Sequence, residues 1–254
     1  MQSMLQHLYI VSGASRGLGL SMARLLLRPG HTLLCISRTD QPALLHCALD
    51  AGATLLQWRH DLADSGELCI RLEDWLRDQP GVRWTSATLI NNAGVIPKIG
   101  PLSSVAQLDL AQALRVGLEA PIVLTAAFLR ATQPWPGKRR VLNISSGLGR
   151  RPMASQAAYC AAKAGMDHFS RCLALEEALK PGGAKVCSLA PGVIDTDMQH
   201  QLRSADLSVF PDRDTFAQLK SGGHLTSPEE AARGVLAYLA RPGFGSQPVD
   251  DVRS

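Results

Sequence analysis

Six short apolar runs alternate along this chain with longer stretches of helical periodicity, and that alternation leaves few folds open. The runs Leu8–Ser12, Thr32–Ser37, Thr54–Arg59, Ala87–Asn91, Arg140–Ser145 and Lys185–Ala190 are each five or six residues long and are bounded by Gly, Asp, Asn or Pro, as strands are. Between them, Gly17–Leu27, Glu67–Arg77, Leu108–Thr132 and Ala157–Leu179 carry the spacing of helices. Strands apolar on both faces and separated by helices imply a parallel sheet covered on both sides. The expected fold is therefore α/β, one doubly wound Rossmann-type domain spanning residues 1–254. After Pro191 the rhythm changes. The stretch from Gln199 to Gly223 is polar and weakly periodic, and Pro228-Glu229-Glu230 then opens another helix. An irregular segment beyond a strand end suits a cover over a ligand, here at about residues 195–225.

Composition narrows the function classes. A net charge of +4 over 254 residues is too weak for a nucleic-acid surface, so Lys138-Arg139-Arg140 and Arg150-Arg151 read as solvated loop charges. The most apolar stretch, Ala120 to Leu129, contains Pro121 and follows Glu119; no membrane span is expected. The N-terminal residues lack a basic leader region and read as the approach to the first strand. Six cysteines without a Cys-x-x-Cys pair suggest free thiols and a cytoplasmic location. The seven histidines show no ligand spacing, so no metal site is expected.

Gly13-Ala14-Ser15-Arg16-Gly17-Leu18-Gly19 follows the first strand and opens the first helix. Glycines there permit a sharp turn and close approach to a pyrophosphate, whose charge the helix N-terminus meets. At the end of the second strand an NAD site would normally carry Asp or Glu. This chain has Ser37-Arg38. Arg38 and Arg16 offer guanidinium groups for a 2′-phosphate, which points to NADP(H).

Tyr159 and Lys163 stand four residues apart in a helical pattern, on one face. An ammonium near a phenol favours the phenolate, so the expected effect of Lys163 is a lowered Tyr159 pKa and a group able to exchange a proton with a substrate oxygen. Ser145 and Ser146 end the fifth strand, where open α/β sheets bind ligands. A hydroxyl there can stabilise a developing alkoxide. Asn91-Asn92-Ala93-Gly94 marks the end of the fourth strand.

In this order and spacing the motifs resemble the short-chain dehydrogenase/reductase family over essentially the whole chain. They are the glycine loop, His60-Asp61-Leu62, Asn91 to Gly94, Ser146, Tyr159-x-x-x-Lys163, and Pro191-Gly192-Val193-Ile194-Asp195-Thr196. The resemblance implies a seven-stranded parallel sheet and Tyr159 as proton donor in carbonyl reduction. Lys163 would hold the nicotinamide ribose and Ser146 would polarise the substrate. Cofactor contacts would come from Gly13, Ser15, Arg16, Gly17, Leu18 and Gly19, from Arg38, and from Asp61 and Leu62 at the adenine. Asn92, Ala93, Gly94, Pro191, Gly192, Val193 and Thr196 would complete them, with Gly192 also near substrate.

Within the family, Ala158 to Lys163, Leu173 to Glu177 and Asp195 to Gln199 resemble the sepiapterin reductases and bacterial benzil reductases. By that resemblance Asp250, or its neighbour Asp251, would anchor a pterin-like edge. The expected activity is NADP(H)-dependent reduction of a small carbonyl compound, a diketone or pterin-type ketone. The alternatives are reduction of 3-oxoacyl thioesters, steroids or sugar alcohols, and a non-catalytic NADP(H) sensor. One departure stands out: Gly117 occupies the helix position where the family usually has Asn supporting a water relay to the lysine. The resemblance also implies a homodimer or homotetramer.

Overall fold

The structure is a computed structural model and describes residues 5–254; Met1 to Met4, part of the expected domain, lie outside the described residues. Seven strands form one parallel sheet in the order β3-β2-β1-β4-β5-β6-β7. The first half runs β1 (His7–Ser12), α1 (Gly17–Leu26), β2 (His31–Ser37), α2 (Pro42–Asp50), β3 (Thr54–Arg59), α3 (Gly66–Arg77) and β4 (Ser86–Asn91). The second runs α4 (Gln107–Leu114), α5 (Ala120–Thr132), β5 (Lys138–Ile144), α6 (Ala157–Ala178), β6 (Lys185–Ala190), α7 (Asp197–Arg203), α8 (Arg213–Ser221), α9 (Pro228–Ala240) and β7 (Val249–Asp251).

Each central strand buries both faces because successive side chains point opposite ways. Val11, Leu33, Cys35 and Leu142 pack under α1 and α9 with Met22 and Val235. Leu8, Ile10, Leu34, Ile36 and Val141 pack on the other side under Leu68, Leu72, Leu124 and Phe128. The strand order reverses between β1 and β4, and that switch point opens the crevice where such sheets bind ligands.

The expected long helix at 108–132 is divided. Arg115–Glu119 forms a π turn between α4 and α5. Pro121 has no N–H to give the carbonyl four residues back, and a wider turn accommodates that loss. By length and composition alone the run Gln107–Thr132 could cross a membrane, but half of its most apolar window is buried in the protein, against α3 and the sheet. Its apolar residues serve the core.

Three further findings differ from expectation. β7 is only three residues long, paired through Leu189 and Asp250, too short to show a period. The 195–225 stretch holds two helices, α7 and α8, where periodicity was weak. Arg139 is not a solvated loop charge: it lies within β5, 6% exposed, with its guanidinium donating to the Gly182 carbonyl at 3.1 Å.

Candidate active site

β1 ends at Ser12, and Gly13 turns the chain with φ +70°. A Cβ on Gly13 would sit 2.8 Å from the Ala93 Cα, and one on Gly19 would sit 2.2 Å from the Gly13 carbonyl oxygen. Only glycine permits either approach. Asn92 holds this loop: its amide donates to the Ser12 and Gly13 carbonyls at 3.0 and 3.1 Å. In return, the Ser12 hydroxyl accepts from the N–H groups of Asn92 and Ala93. Helix α1 then starts with no side-chain cap and no acidic residue in its first turn. Its N–H groups and positive dipole end are left to an anion.

The loop forms one wall of a cleft of about 1030 Å³, at the upper end of the range for ligand sites. Every candidate from the sequence lines this cleft except Asp250. Ser15, Leu18, Asp61, Leu62, Pro191, Val193 and the remaining cofactor candidates thus converge although they come from six different strand ends and loops.

Tyr159 and Lys163 are 8% and 4% exposed on α6. The Lys163 ammonium lies 5.7 Å from the Tyr159 ring centroid and donates to the Ile144 carbonyl at 2.7 Å. Burial pushes the phenol up to about 12, with the Ser146 hydroxyl pulling only partly the other way. Burial also lowers the Lys163 ammonium to about 8, against the opposing pull of Asp167. The expected depression of the Tyr159 pKa is therefore not found: desolvation of the phenolate outweighs the pull of the Ser146 hydroxyl. A phenol that keeps its proton is suited to giving one to an alkoxide. The Gly94 Cα side faces Lys163, since a Cβ there would be 3.8 Å from Nζ. A Cβ on Gly117 would be 3.1 Å from that of Ala162, so the missing side chain lets α6 lie close to the π turn.

The 195–225 stretch has its own small core of Leu202, Phe210 and Phe216, packed on Ile96, Ile99 and Met153. Asp195 ties it together, pairing with Arg203 at 3.4 Å and Lys220 at 2.5 Å. Thr196 immediately precedes α7, and Arg16 pairs with Asp197 at 2.9 Å, linking the glycine loop to α7. Arg38 is exposed and has no ion-pair partner among the described residues.

Asp250 does not face the cleft. Its carboxylate accepts from the Tyr238 hydroxyl at 2.5 Å and from the Asp251 N–H. Strand alternation instead turns Asp251 to the cleft, where it pairs with Arg253 at 2.7 Å. Sequence reasoning also missed Asp167 and Arg150. Arg150 lines the cleft, with its Nε 3.6 Å from the buried Asp167. The signal was present: Asp167 continues the i, i+4 series of Tyr159 and Lys163.

Known proteins are similar to this chain. The family model for the short chain dehydrogenase matches residues 7–207. The benzil reductase ((S)-benzoin forming) of Bacillus cereus is 34% identical over 92% of this chain and 94% of that protein. The sepiapterin reductase of Meriones unguiculatus is 32% identical over 93% and 92%. A short-chain dehydrogenase/reductase of Burkholderia vietnamiensis, solved by crystallography, is 33% identical over 98% of each chain, with a TM-score of 0.64. The chain belongs to the short-chain dehydrogenase family of oxidoreductases.

Proposed function

We propose that this chain is an NADP(H)-dependent reductase of small apolar carbonyl compounds, with 1,2-diketones as the preferred class. The observation that carries the proposal is the buried Tyr159–Lys163 pair opening on the same cleft as the glycine loop. The cradle fits a dinucleotide: a side chain at Gly13 or Gly19 would fill it, and the uncapped start of α1 receives a pyrophosphate. Arg38 at the end of β2, without an ion-pair partner among the described residues, supports the 2′-phosphate form.

When bound, the nicotinamide supplies the hydride. Ser146 hydrogen-bonds the substrate carbonyl oxygen, and the neutral Tyr159 phenol delivers its proton there as negative charge develops. Lys163 holds the ribose and its ammonium stabilises the phenolate left behind. Asp61 and Leu62 serve the adenine end, and Gly192 and Thr196 the nicotinamide end.

Substrate preference follows the cover. Ile96, Leu148, Leu202, Phe216 and Leu219 give the outer cleft an apolar lining, which suits the aryl groups of a benzil-like diketone. A pterin edge would require a free carboxylate, whereas Asp250 is occupied by Tyr238 and Asp251, which lines the cleft, is paired with Arg253. The Bacillus cereus relative is a benzil reductase, in line with this choice. Exposed Leu108, Leu114, Leu175 and Leu179 along α4 and α6 support a homodimer or homotetramer, and six free thiols support a cytoplasmic location.

The test is NADPH oxidation with benzil, a pterin ketone and a β-keto thioester in parallel. The diaryl diketone is expected to turn over fastest. Tight nucleotide binding with no turnover on any of the three would replace this reading with a nucleotide sensor.

A further inference from the structure

Three successive turns of α6 engage three successive residues at the end of β5. Tyr159 meets Ser146, Lys163 donates to the Ile144 carbonyl at 2.7 Å, and Asp167 accepts from the Ser145 hydroxyl at 2.5 Å. The proposed reaction uses the first two side chains and leaves the third without a task.

Asp167 is 1% exposed. Its Oδ1 also accepts from the Ser188 hydroxyl on β6 at 2.7 Å. Its Oδ2 is buried with no hydrogen-bond partner, and the Arg150 guanidinium stands 3.6 Å away. A Cβ on Gly149 would lie 2.9 Å from that oxygen and 3.0 Å from the Lys163 carbonyl. The turn after Ser146 thus packs directly on the stretch of α6 between Lys163 and Asp167. A buried carboxylate costs stability that an apolar side chain of similar size would not. One turn from the reactive ammonium, a carboxyl group so deeply placed calls for a functional reason.

We propose that Asp167 is a positioning residue for the reductase reaction, on which this inference rests. It locks the Ser145–Ser146 strand end against α6, and it places a carboxyl group one helical turn from Lys163, where Gly117 supplies no group to act on that side chain. The titratable and charged groups around this stretch are Tyr159 on α6, Arg150 on the turn after β5, Cys187 on β6 and Asp250 on β7. Arg150 stands beside Asp167, and Asp250 is engaged by Tyr238. Asp167 is therefore the carboxylate that acts on the ammonium, and it raises the Lys163 pKa against the effect of burial.

The experiment is a pH titration of the six lysines by NMR in nucleotide-free, nitrogen-15-labelled protein, with Lys163 assigned by its loss in Lys163→Ala. Asp167→Asn keeps the shape and an acceptor for both serines while removing the charge. The Lys163 transition is expected to move to lower pH by about half a unit or more. With a diketone substrate, kcat should fall about tenfold and its alkaline limb should move the same way. Ser145→Ala should leave the Lys163 transition in place and lower kcat about threefold through a looser strand end.

An unmoved Lys163 transition in Asp167→Asn would overturn the electrostatic role. If that variant does not fold, an unchanged kcat in Ser145→Ala overturns the proposal. A wild-type protein without diketone turnover would remove the reductase reading alone, because the lysine titration still reports on Asp167.

Discussion

The floor of the cleft and its cover are built on different principles. The floor consists of strand ends and α6, and its working groups are buried: Tyr159, Lys163, Ser145 and Asp167 are each under a tenth exposed. Main-chain ladders and short hydrogen bonds fix them. The proposed cover, α7 and α8, is held by a small apolar cluster and by ion pairs at the surface, such as Arg16–Asp197 and Lys220–Asp195. Surface pairs of that kind contribute little to stability. The proposed function puts chemistry on the buried floor and substrate choice on the segment held at the surface, a division that would let one set of reactive groups serve different substrates.

Variants can test that division, beginning with the floor. Tyr159→Phe removes the proton donor and should reduce kcat by about 10²–10⁴ while leaving the nucleotide dissociation constant nearly unchanged. A comparable loss of nucleotide affinity would show that the ring shapes the cleft more than the chemistry. Arg38→Ala, at the nucleotide rim, should weaken NADPH binding about 10- to 100-fold, the worth of a lost charge-assisted contact, with NADH binding unaltered. Fluorescence titration with both nucleotides reads the difference, and equal losses for both would contradict the 2′-phosphate assignment.

In the cover, Phe216→Ala should raise KM for an aryl diketone by about tenfold with little change in nucleotide affinity. If the variant instead lost nucleotide binding, the cover would belong functionally to the floor. pH probes the floor without a mutation. Lys163 loses its proton above about 8, whereas Tyr159 keeps its own to about 12, so rising pH removes the ammonium first. The carbonyl-reduction rate should then fall several-fold from about pH 7 to about pH 9. A rate that holds level across that span would put the essential ammonium elsewhere.

The smallest expected effect separates the two tail aspartates. Asp250→Asn should cost stability of about 1–2 kcal/mol through the Tyr238 bond, read as a lower Tm at unchanged KM. Asp251→Asn should alter KM and leave Tm alone.

The same division governs what was legible in the sequence. The glycine loop, Asn92, Ser146, Tyr159 and Lys163 sit on elements with strong periodicity, so spacing alone assigns them to strand ends or one helix face. Asp250 and Asp251 could not be told apart because a three-residue strand carries no periodic signal to say which side chain faces inward. Helices α7 and α8 take their positions from Phe210, Phe216 and their distant partners Ile99 and Met153, contacts that local sequence does not encode. The Tyr159 pKa was misjudged for a related reason. Its neighbour Lys163 is visible in the sequence, but the depth of burial is a property of the whole fold.

The central claim is that hydride and proton meet a carbonyl at Tyr159. Reduction of benzil by NADPH carrying deuterium at the reactive nicotinamide carbon tests it most directly. The account predicts one deuterium on the new carbinol carbon with the wild-type protein and almost none with Tyr159→Phe in the same time. Equal label from both proteins, or an unlabelled alcohol from the wild type, would contradict it.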